Sequence, residues 1–283
     1  TYEFENVPVE SAEYLRSIGA IVRPGAKSLE MAQDRLTEKR FLQGIGIPTV
    51  EIAEINSPED IPHAISSLNG AGILKRRRDG YDGKGQARIE EGDDYAEVWK
   101  ALGEAPCILE AMAPFEREIS GIVARTHDGH IAAFEPSENI HVNGILRTSI
   151  VPAEISDDVR KRAVAGATAL AAALDHVGVL ALEYFVLPDG ELMANEYAPR
   201  VHNSGHWTID GSTCSQFENH VRAVAGLPLG GTDLVQPSLM FNWIGEMPDA
   251  ATLLEVPGLH WHDYGKEPRP GRKVGHATLT APT

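Results

Sequence analysis

Two apolar runs, residues 179–187 and 192–197, flank Pro188-Asp189-Gly190. Strand-like runs joined by a short turn of this kind fold back on each other as a hairpin. The hairpin carries Glu183 within Val-Leu-Ala-Leu-Glu-Tyr-Phe-Val-Leu, and Asn195-Glu196 on the returning strand. A four-residue loop pairs Glu183 with Glu196; a three-residue loop pairs it with Asn195. Either register gathers oxygen ligands on neighbouring strands. Two adjacent carboxylates repel each other unless a cation lies between them. Magnesium suits such a site, because it takes one or two carboxylates and completes its shell with water and phosphate oxygens. The competing reading is a pair of edge-strand glutamates facing water.

The returning strand runs straight into Asn-Glu-Tyr-Ala-Pro-Arg-Val-His-Asn-Ser-Gly-His-Trp, residues 195–207. So many polar groups in so short a stretch build little core and suit a small anion.

Elsewhere helical and strand patterns alternate, which implies a mixed α and β chain. Helices are expected over 10–19, 28–44 (one helix or two, with Ser28 as an N-cap), 93–103, 157–175 and 215–225, with a further helix starting at Ser57. Strands are expected over 20–22, 73–75, 87–89, 107–112, 238–244 and 260–264, and a hairpin over 116–135. Residues 139–148 read as a polar loop carrying His141 and Arg147, and no closing strand is evident at the C-terminus.

Between the strands at 73–75 and 87–89 lies a glycine-rich flap, Gly80-Tyr81-Asp82-Gly83-Lys84-Gly85-Gln86. Its glycines allow backbone N–H groups to approach phosphate. It is neither a P-loop nor a dinucleotide fingerprint, since Gly-Lys-Ser/Thr and a following helix are both missing. Lys75 ends one flanking strand and suits a nucleotide phosphate; Glu110 ends another and suits a ribose hydroxyl. Taken singly, each also reads as a solvated strand end.

The 283 residues and 42% hydrophobic content suffice for one large domain or two to three small ones. With 25 basic against 41 acidic residues, the formal net charge of −16 argues against nucleic-acid binding and against docking to an anionic membrane. Positive charge is concentrated instead at Lys266, Arg269, Arg272 and Lys273, a basic turn suited to a phosphate or carboxylate. Two cysteines in no metal or redox spacing fit a reducing cytoplasm.

Together these motifs resemble ATP-grasp enzymes of the N5-carboxyaminoimidazole ribonucleotide synthetase family. The resemblance rests on Thr-Tyr-Glu-Phe-Glu-Asn-Val-Pro at the start, Asp34-Arg35-Leu36-Thr37-Glu38-Lys39, the flap, and Gly144-Ile145-Leu146-Arg147-Thr148. It also rests on residues 195–207 and on Arg269-Pro270-Gly271-Arg272-Lys273-Val274-Gly275-His276. It covers essentially the whole chain. It implies an α+β ATP-grasp fold, two α+β lobes with ATP between them. Residues 1–27 are then a remnant of an N-terminal α/β domain, 28–235 the ATP-grasp domain with a lid lobe at about 71–115, and 236–283 a β-rich substrate-binding segment.

The implied activity is carboxylation of aminoimidazole ribonucleotide with bicarbonate and ATP in purine biosynthesis, through carboxyphosphate. The resemblance implies that Arg35, Lys75, Gly80–Gln86, Glu110, Ala111, Met112, Ala113, Glu118, His141, Asn195 and Glu196 contact ATP. Glu183 and Glu196 would hold Mg2+. Arg200, His202 and Lys266 would be catalytic, with Asn203 and Ser204 beside them around bicarbonate and the amine. His202 is the candidate for proton transfer, against a purely orienting role. Tyr81, Asp82, Lys84 and Arg272 would bind the ribonucleotide.

Two positions depart from the family pattern: Lys84 stands where arginine is common, and Ala198 where many ATP-grasp enzymes have a further asparagine. Lysine keeps the charge but loses the bidentate fork. A homodimer in the cytoplasm is the expected setting. Read as lacking most of an N-terminal domain and the extreme C-terminus, the chain is expected to bind ATP with weak or no turnover. The alternatives are an ATP-grasp ligase with another acceptor, such as a formate-using ribonucleotide transformylase or a biotin carboxylase, and a nucleotide-binding module without catalysis.

Overall fold

The computed structural model describes residues 1–80 and 85–281. Three helices, α1 (Val9–Ser17), α2 (Ala26–Ala32) and α3 (Arg35–Gly44), precede the first strand, β1 (Ile52–Ile55). The expected helix over 28–44 is thus two helices. Ser28 lies inside α2 and is not its cap; the break falls at Asp34, whose side chain accepts from Leu36 N and Thr37 N and so caps α3. Residues 20–22, expected as a strand, are irregular and have no ladder partner.

A small lobe follows: α4 (Ile61–Ser67), β2 (Ala71–Arg76), β3 (Gln86–Glu90), α5 (Tyr95–Ala101) and β4 (Cys107–Ala111). Its strands form an antiparallel sheet in the order β1-β4-β2-β3. Ile61 and Ile65 of α4 and Trp99 of α5 cover one face, against Leu74, Ile89 and Leu109. Position 72 in β2 needs glycine for space: a Cβ there would lie 2.8 Å from the Glu110 carbonyl oxygen. Strands β2 and β4 therefore approach closely, which brings Lys75 and Glu110 together.

The remaining elements are β5 (Arg117–Arg125), β6 (Ile131–Ala133), β7 (Ser137–Val142), β8 (Ile145–Val151), α6 (Asp157–Ala173), β9 (Gly178–Val186), β10 (Leu192–Ala198), α7 (Thr208–Gly211), α8 (Gln216–Ala225), β11 (Ser238–Ile244), α9 (Ala250–Leu253), β12 (Leu259–Asp263) and β13 (Lys273–Thr280). Their strands form one nine-stranded sheet in the order β10-β9-β5-β7-β8-β11-β13-β12, with β6 on β5. Residues 139–148 belong to a strand pair, β7 and β8, turning at Asn143-Gly144, and not to a loop. The closing segment is also a strand, β13, seated between β11 and β12. Its small and polar residues carry little apolar alternation, so only pairing defines it.

Side chains of β9 alternate between two cores. Leu180, Leu182, Tyr184 and Val186 face α6 with Ala163, Ala167 and Leu170. Val179 and Ala181 face the other side, with Ile122, Phe134, Trp207 and Met240. The same alternation puts Glu183 on the face where residues 201–207 pack. Tyr184 Oη donates to Ala163 O at 3.0 Å, fixing α6 across the sheet.

Candidate active site

Strands β9 and β10 pair Leu192 with Val186, Met193 with Phe185 and Ala194 with Tyr184. The ladder then resumes one residue out of step, pairing Tyr197 with Leu182 and Ala198 with Ala181. Asn195 and Glu196 therefore share the position opposite Glu183, a β-bulge. The three-residue-loop register holds before the bulge and the four-residue register after it. Both alternatives read from the sequence are realised, one on each side of the same carboxylate.

Charged groups from both lobes converge on this bulge. Arg35, in the first turn of α3, donates from Nη1 to Glu196 Oε2 at 2.6 Å and from Nη2 to Gly80 O at 3.4 Å. Lys75 of β2 donates to Glu110 Oε2 of β4 at 2.6 Å. Lys39, with no exposed surface, stands 3.4 Å from Glu110 Oε1. Three cations and the acids Glu38, Glu110 and Glu196 thus interleave. Burial works against ionisation of Glu110 and Glu196, but the cations outweigh it, Lys39 and Lys75 at Glu110, Arg35 and Lys75 at Glu196; both carboxyls are held below their ordinary range. Glu38 goes the other way: burial, then the Glu196 charge, push it up to about 8.

The placement of Glu110 differs from a solvated strand end. It is 2% exposed and its oxygens face two lysines, so it stands as their counter-charge. Ala111 ends β4, and Met112 and Ala113 follow it, with Met112 exposed. His141 Nδ1 of β7 stands 3.2 Å from Glu118 Oε2 of β5. Burial disfavours the imidazolium there, but Glu118, then Glu183 and Glu196, raise the pKa of His141. Gly80, Gly85 and Gln86 lie at the described edges of the flap, where Gly85 O accepts from Arg76 N at 2.8 Å. Tyr81, Asp82, Gly83 and Lys84 lie outside the described residues.

Across the bulge, Glu183 Oε1 lies 3.0 Å from His202 Nε2, and His202 Nδ1 lies 2.8 Å from Ser204 Oγ. The His202 backbone is gripped by a buried amide: Gln216 Oε1 accepts its N–H at 3.0 Å, and Gln216 Nε2 donates to its carbonyl at 2.6 Å. Arg200 forms a two-bond pair with the Glu5 carboxylate and donates to Val201 O at 3.0 Å. The side-chain amide atoms of Asn203 and the Asn195 Oδ1 are buried without a hydrogen-bond partner.

Lys266 is exposed, with its ammonium 5.1 Å from the Tyr264 ring centre. Tyr264 Oη lies 3.0 Å from His206 Nδ1 and 2.8 Å from His276 Nδ1, joining residues 195–207 to the last strands. Arg272 donates to Glu267 O at 3.2 Å within the basic turn. Asp210, His262 and His276 place ligand-type atoms within 4.8 Å of one another. The two imidazoles stack at 4.3 Å and 11°, however, so their in-plane lone pairs do not converge on one ion. This group braces α7 against β12 and β13.

Sequence reasoning assigned no role to Glu5, Glu38, Lys39 or Gln216. The first three lie inside the quoted motifs, so their presence there was a usable signal. Gln216, at the start of a surface-patterned helix, carried none.

A junction of two lobes with Lys75 and Glu110 on one side, and Arg35 and a carboxylate-bearing bulge on the other, is the arrangement of an ATP-grasp protein. An ATP-grasp domain model matches residues 40–217, and a phosphoribosylaminoimidazole carboxylase C-terminal domain model matches 238–283. The N5-carboxyaminoimidazole ribonucleotide synthase of Brucella melitensis is 50% identical over 286 aligned residues, covering 100% of this chain and 79% of that protein. That of Bacillus subtilis is 41% identical, covering 99% and 74%. The crystal structure of the Thermus thermophilus synthetase superposes with a TM-score of 0.93 at 49% identity, covering 99% of this chain and 76% of that one. The Aspergillus clavatus synthase, solved with ADP and 5-aminoimidazole ribonucleotide, superposes at 0.90 with 33% identity, covering 99% and 76%. The chain belongs to the N5-carboxyaminoimidazole ribonucleotide synthase family.

Proposed function

We propose that the protein is an ATP-dependent ligase that carboxylates the exocyclic amine of 5-aminoimidazole ribonucleotide with bicarbonate in purine biosynthesis. ATP phosphorylates bicarbonate, giving ADP and carboxyphosphate. Carboxyphosphate breaks down to carbon dioxide and phosphate, and the amine attacks the carbon, losing a proton as the carbamate forms. The observation that carries this reading is the double engagement of Glu183. It sits opposite Glu196 at the phosphate end and 3.0 Å from His202 at the carboxyl-transfer end. Phosphoryl transfer and amine attack then occur in adjoining parts of one cleft, where excluded water keeps carboxyphosphate from draining away.

On this reading Arg35, Lys75, Glu118, His141 and the flap residues Gly80–Gln86 bind nucleotide, as do residues 110–113. Arg35 and Lys75 offset charge on the transferring phosphoryl group. Arg200, His202, Asn203, Ser204 and Lys266 surround bicarbonate and the amine; Tyr81, Asp82, Lys84 and Arg272 take the ribonucleotide. The orphaned amide of Asn203 supports a polar ligand beside it. Both nitrogens of His202 have partners, which favours an orienting role over proton transfer.

The donors at the bulge, two carboxylates and the orphaned Asn195 Oδ1, are all oxygens, as a hard cation requires. Mg2+ held by Glu183 and Glu196 would neutralise phosphate charge. No described helix is long and apolar enough to cross a membrane. The proposed setting is the cytoplasm, and a homodimer would cover the exposed Tyr14, Leu15, Ile18 and Ile21 near α1; sedimentation of the purified chain tests the assembly.

The decisive experiment is phosphate release with bicarbonate, with and without 5-aminoimidazole ribonucleotide, alongside biotin as an alternative acceptor and formate in place of bicarbonate. Stimulation by the ribonucleotide alone, lost in Arg200→Ala, is expected. Stimulation by another acceptor, or full coupling in Arg200→Ala, would overturn the assignment.

A further inference from the structure

A β-bulge leaves backbone groups without ladder partners, and a buried group left unpaired costs about 1–3 kcal/mol. At the β10 bulge these groups are satisfied by side chains, and the side chains are consecutive residues of α3. Lys39 Nζ donates to Ala194 O at 3.3 Å and to Asn195 O at 2.5 Å. Glu38 Oε1 accepts from Tyr197 N at 2.7 Å. Glu38 is 2% exposed and Lys39 0%. The carbonyls before Glu196 and the amide after it are therefore held from one helix turn, while the Glu196 side chain faces Arg35. Lys39 also stands 3.4 Å from Glu110 Oε1, on the small-lobe strand whose other carboxylate oxygen holds Lys75.

We propose that Glu38 and Lys39 are positioning residues that clamp the bulge and thereby set Glu196 and Asn195 opposite Glu183 for a divalent cation. Neither needs to touch cation or substrate. Straightening the bulge by one residue would place Asn195 alone opposite Glu183 and turn the Glu196 side chain to the opposite face of β10. The clamp therefore decides whether two carboxylates or one face the nucleotide. This inference rests on the reading that Glu183 and Glu196 hold a divalent cation.

The test is Mn2+ binding in the presence of ADP, followed by electron paramagnetic resonance, so that turnover is not needed. The proteins are wild type, Glu196→Gln, Lys39→Met, Glu38→Ala and Glu38→Gln, each with its melting temperature measured. Lys39→Met and Glu38→Ala should weaken Mn2+ binding by roughly 10-fold or more, in the range of lost outer-shell partners at metal sites. Glu38→Gln keeps the Oε1 acceptor for Tyr197 N and should bind Mn2+ nearly as wild type. A role in stability alone would lower the melting temperature of the folded variants while leaving Mn2+ affinity intact.

Unchanged Mn2+ binding in Glu196→Gln overturns the underlying cation assignment. Weakened binding in Glu196→Gln, with wild-type binding in both Lys39→Met and Glu38→Ala, overturns the clamp and leaves the assignment standing. If Lys39→Met does not fold, the contrast between Glu38→Ala and Glu38→Gln decides: equal affinities overturn the clamp.

Discussion

Glu5 grips Arg200. Its Oε1 accepts from Arg200 Nη2 at 2.8 Å and its Oε2 accepts from Arg200 Nε, so the N-terminal segment is tied to the segment that carries His202. A guanidinium holding one carboxylate in a bidentate pair is preorganised for planar anions of similar shape. Bicarbonate, and the carboxyl end of carboxyphosphate, are such anions.

Replacing Arg200 should act on carboxyl transfer more than on nucleotide binding. Arg200→Ala is expected to lower ribonucleotide-coupled turnover by roughly 100-fold, the scale of losing a preorganised electrostatic donor. ADP affinity should stay within a few-fold of wild type, measured by calorimetry. Glu5→Ala leaves a half-buried guanidinium without its partner, and should cost about 1 kcal/mol of stability in denaturant unfolding.

Glu110 is the counter-charge to two lysines, one of them fully buried. Glu110→Gln preserves shape but strands Lys39 and Lys75 without a carboxylate. The expected loss is about 3 kcal/mol or more in urea unfolding, since breaking a buried pair leaves an uncompensated charge. A loss under about 1 kcal/mol would mean that the lysines relax to water.

Gly205 is packed against the amide that holds His202. A Cβ at this position would lie 2.7 Å from both Gln216 Oε1 and Ile122 Cδ1. Gly205→Ala should therefore displace Gln216, loosen the His202 backbone and cost about 1–3 kcal/mol of stability. Coupled turnover should fall with it, and Gln216→Ala should reproduce the kinetic defect without the clash.

Acid stability should be limited by buried neutral histidines. His176, fully buried between Ser28 Oγ and Val179 O, is pushed down by burial to about 3; His220, which accepts from Val179 N, is pushed down by burial to about 4. Their folded pKa values lie below the unfolded value, so the unfolded chain binds more protons between about pH 6.5 and these values. Stability is full above pH 6.5 and falls as pH drops, by up to about 1.4 kcal/mol per unit for each histidine. Melting temperatures across pH 4–7 should show this slope, and His220→Gln should flatten part of it.

Much of the fold was legible where a pattern is local. The apolar run around Glu183, the turn at Pro188-Asp189-Gly190 and the alanine-rich α6 each announce themselves within a few residues. Strand β13 and the β7–β8 pair did not, because polar side chains interrupt any apolar period in them and they are strands by pairing with neighbours. Residues 20–22 show the converse: the apolar Ala20, Ile21 and Val22 read as a strand but meet no partner edge.

The site divides in the same way. Residue chemistry on the hairpin and in residues 195–207 marks Glu183, Asn195, Glu196, Arg200 and His202 as candidates, because costly polar groups concentrated in a short span are a local signal. The register between the hairpin strands could not be chosen from the sequence, since a bulge depends on what satisfies its freed backbone groups. Those partners, Glu38 and Lys39, come from a helix some 150 positions away, as the separations of 159 and 155 residues show. The sequence by itself thus determined where the costly polar groups concentrate; only the tertiary structure decided which of them face one another, because buried hydrogen bonds and counter-charges are settled by distant segments packing together.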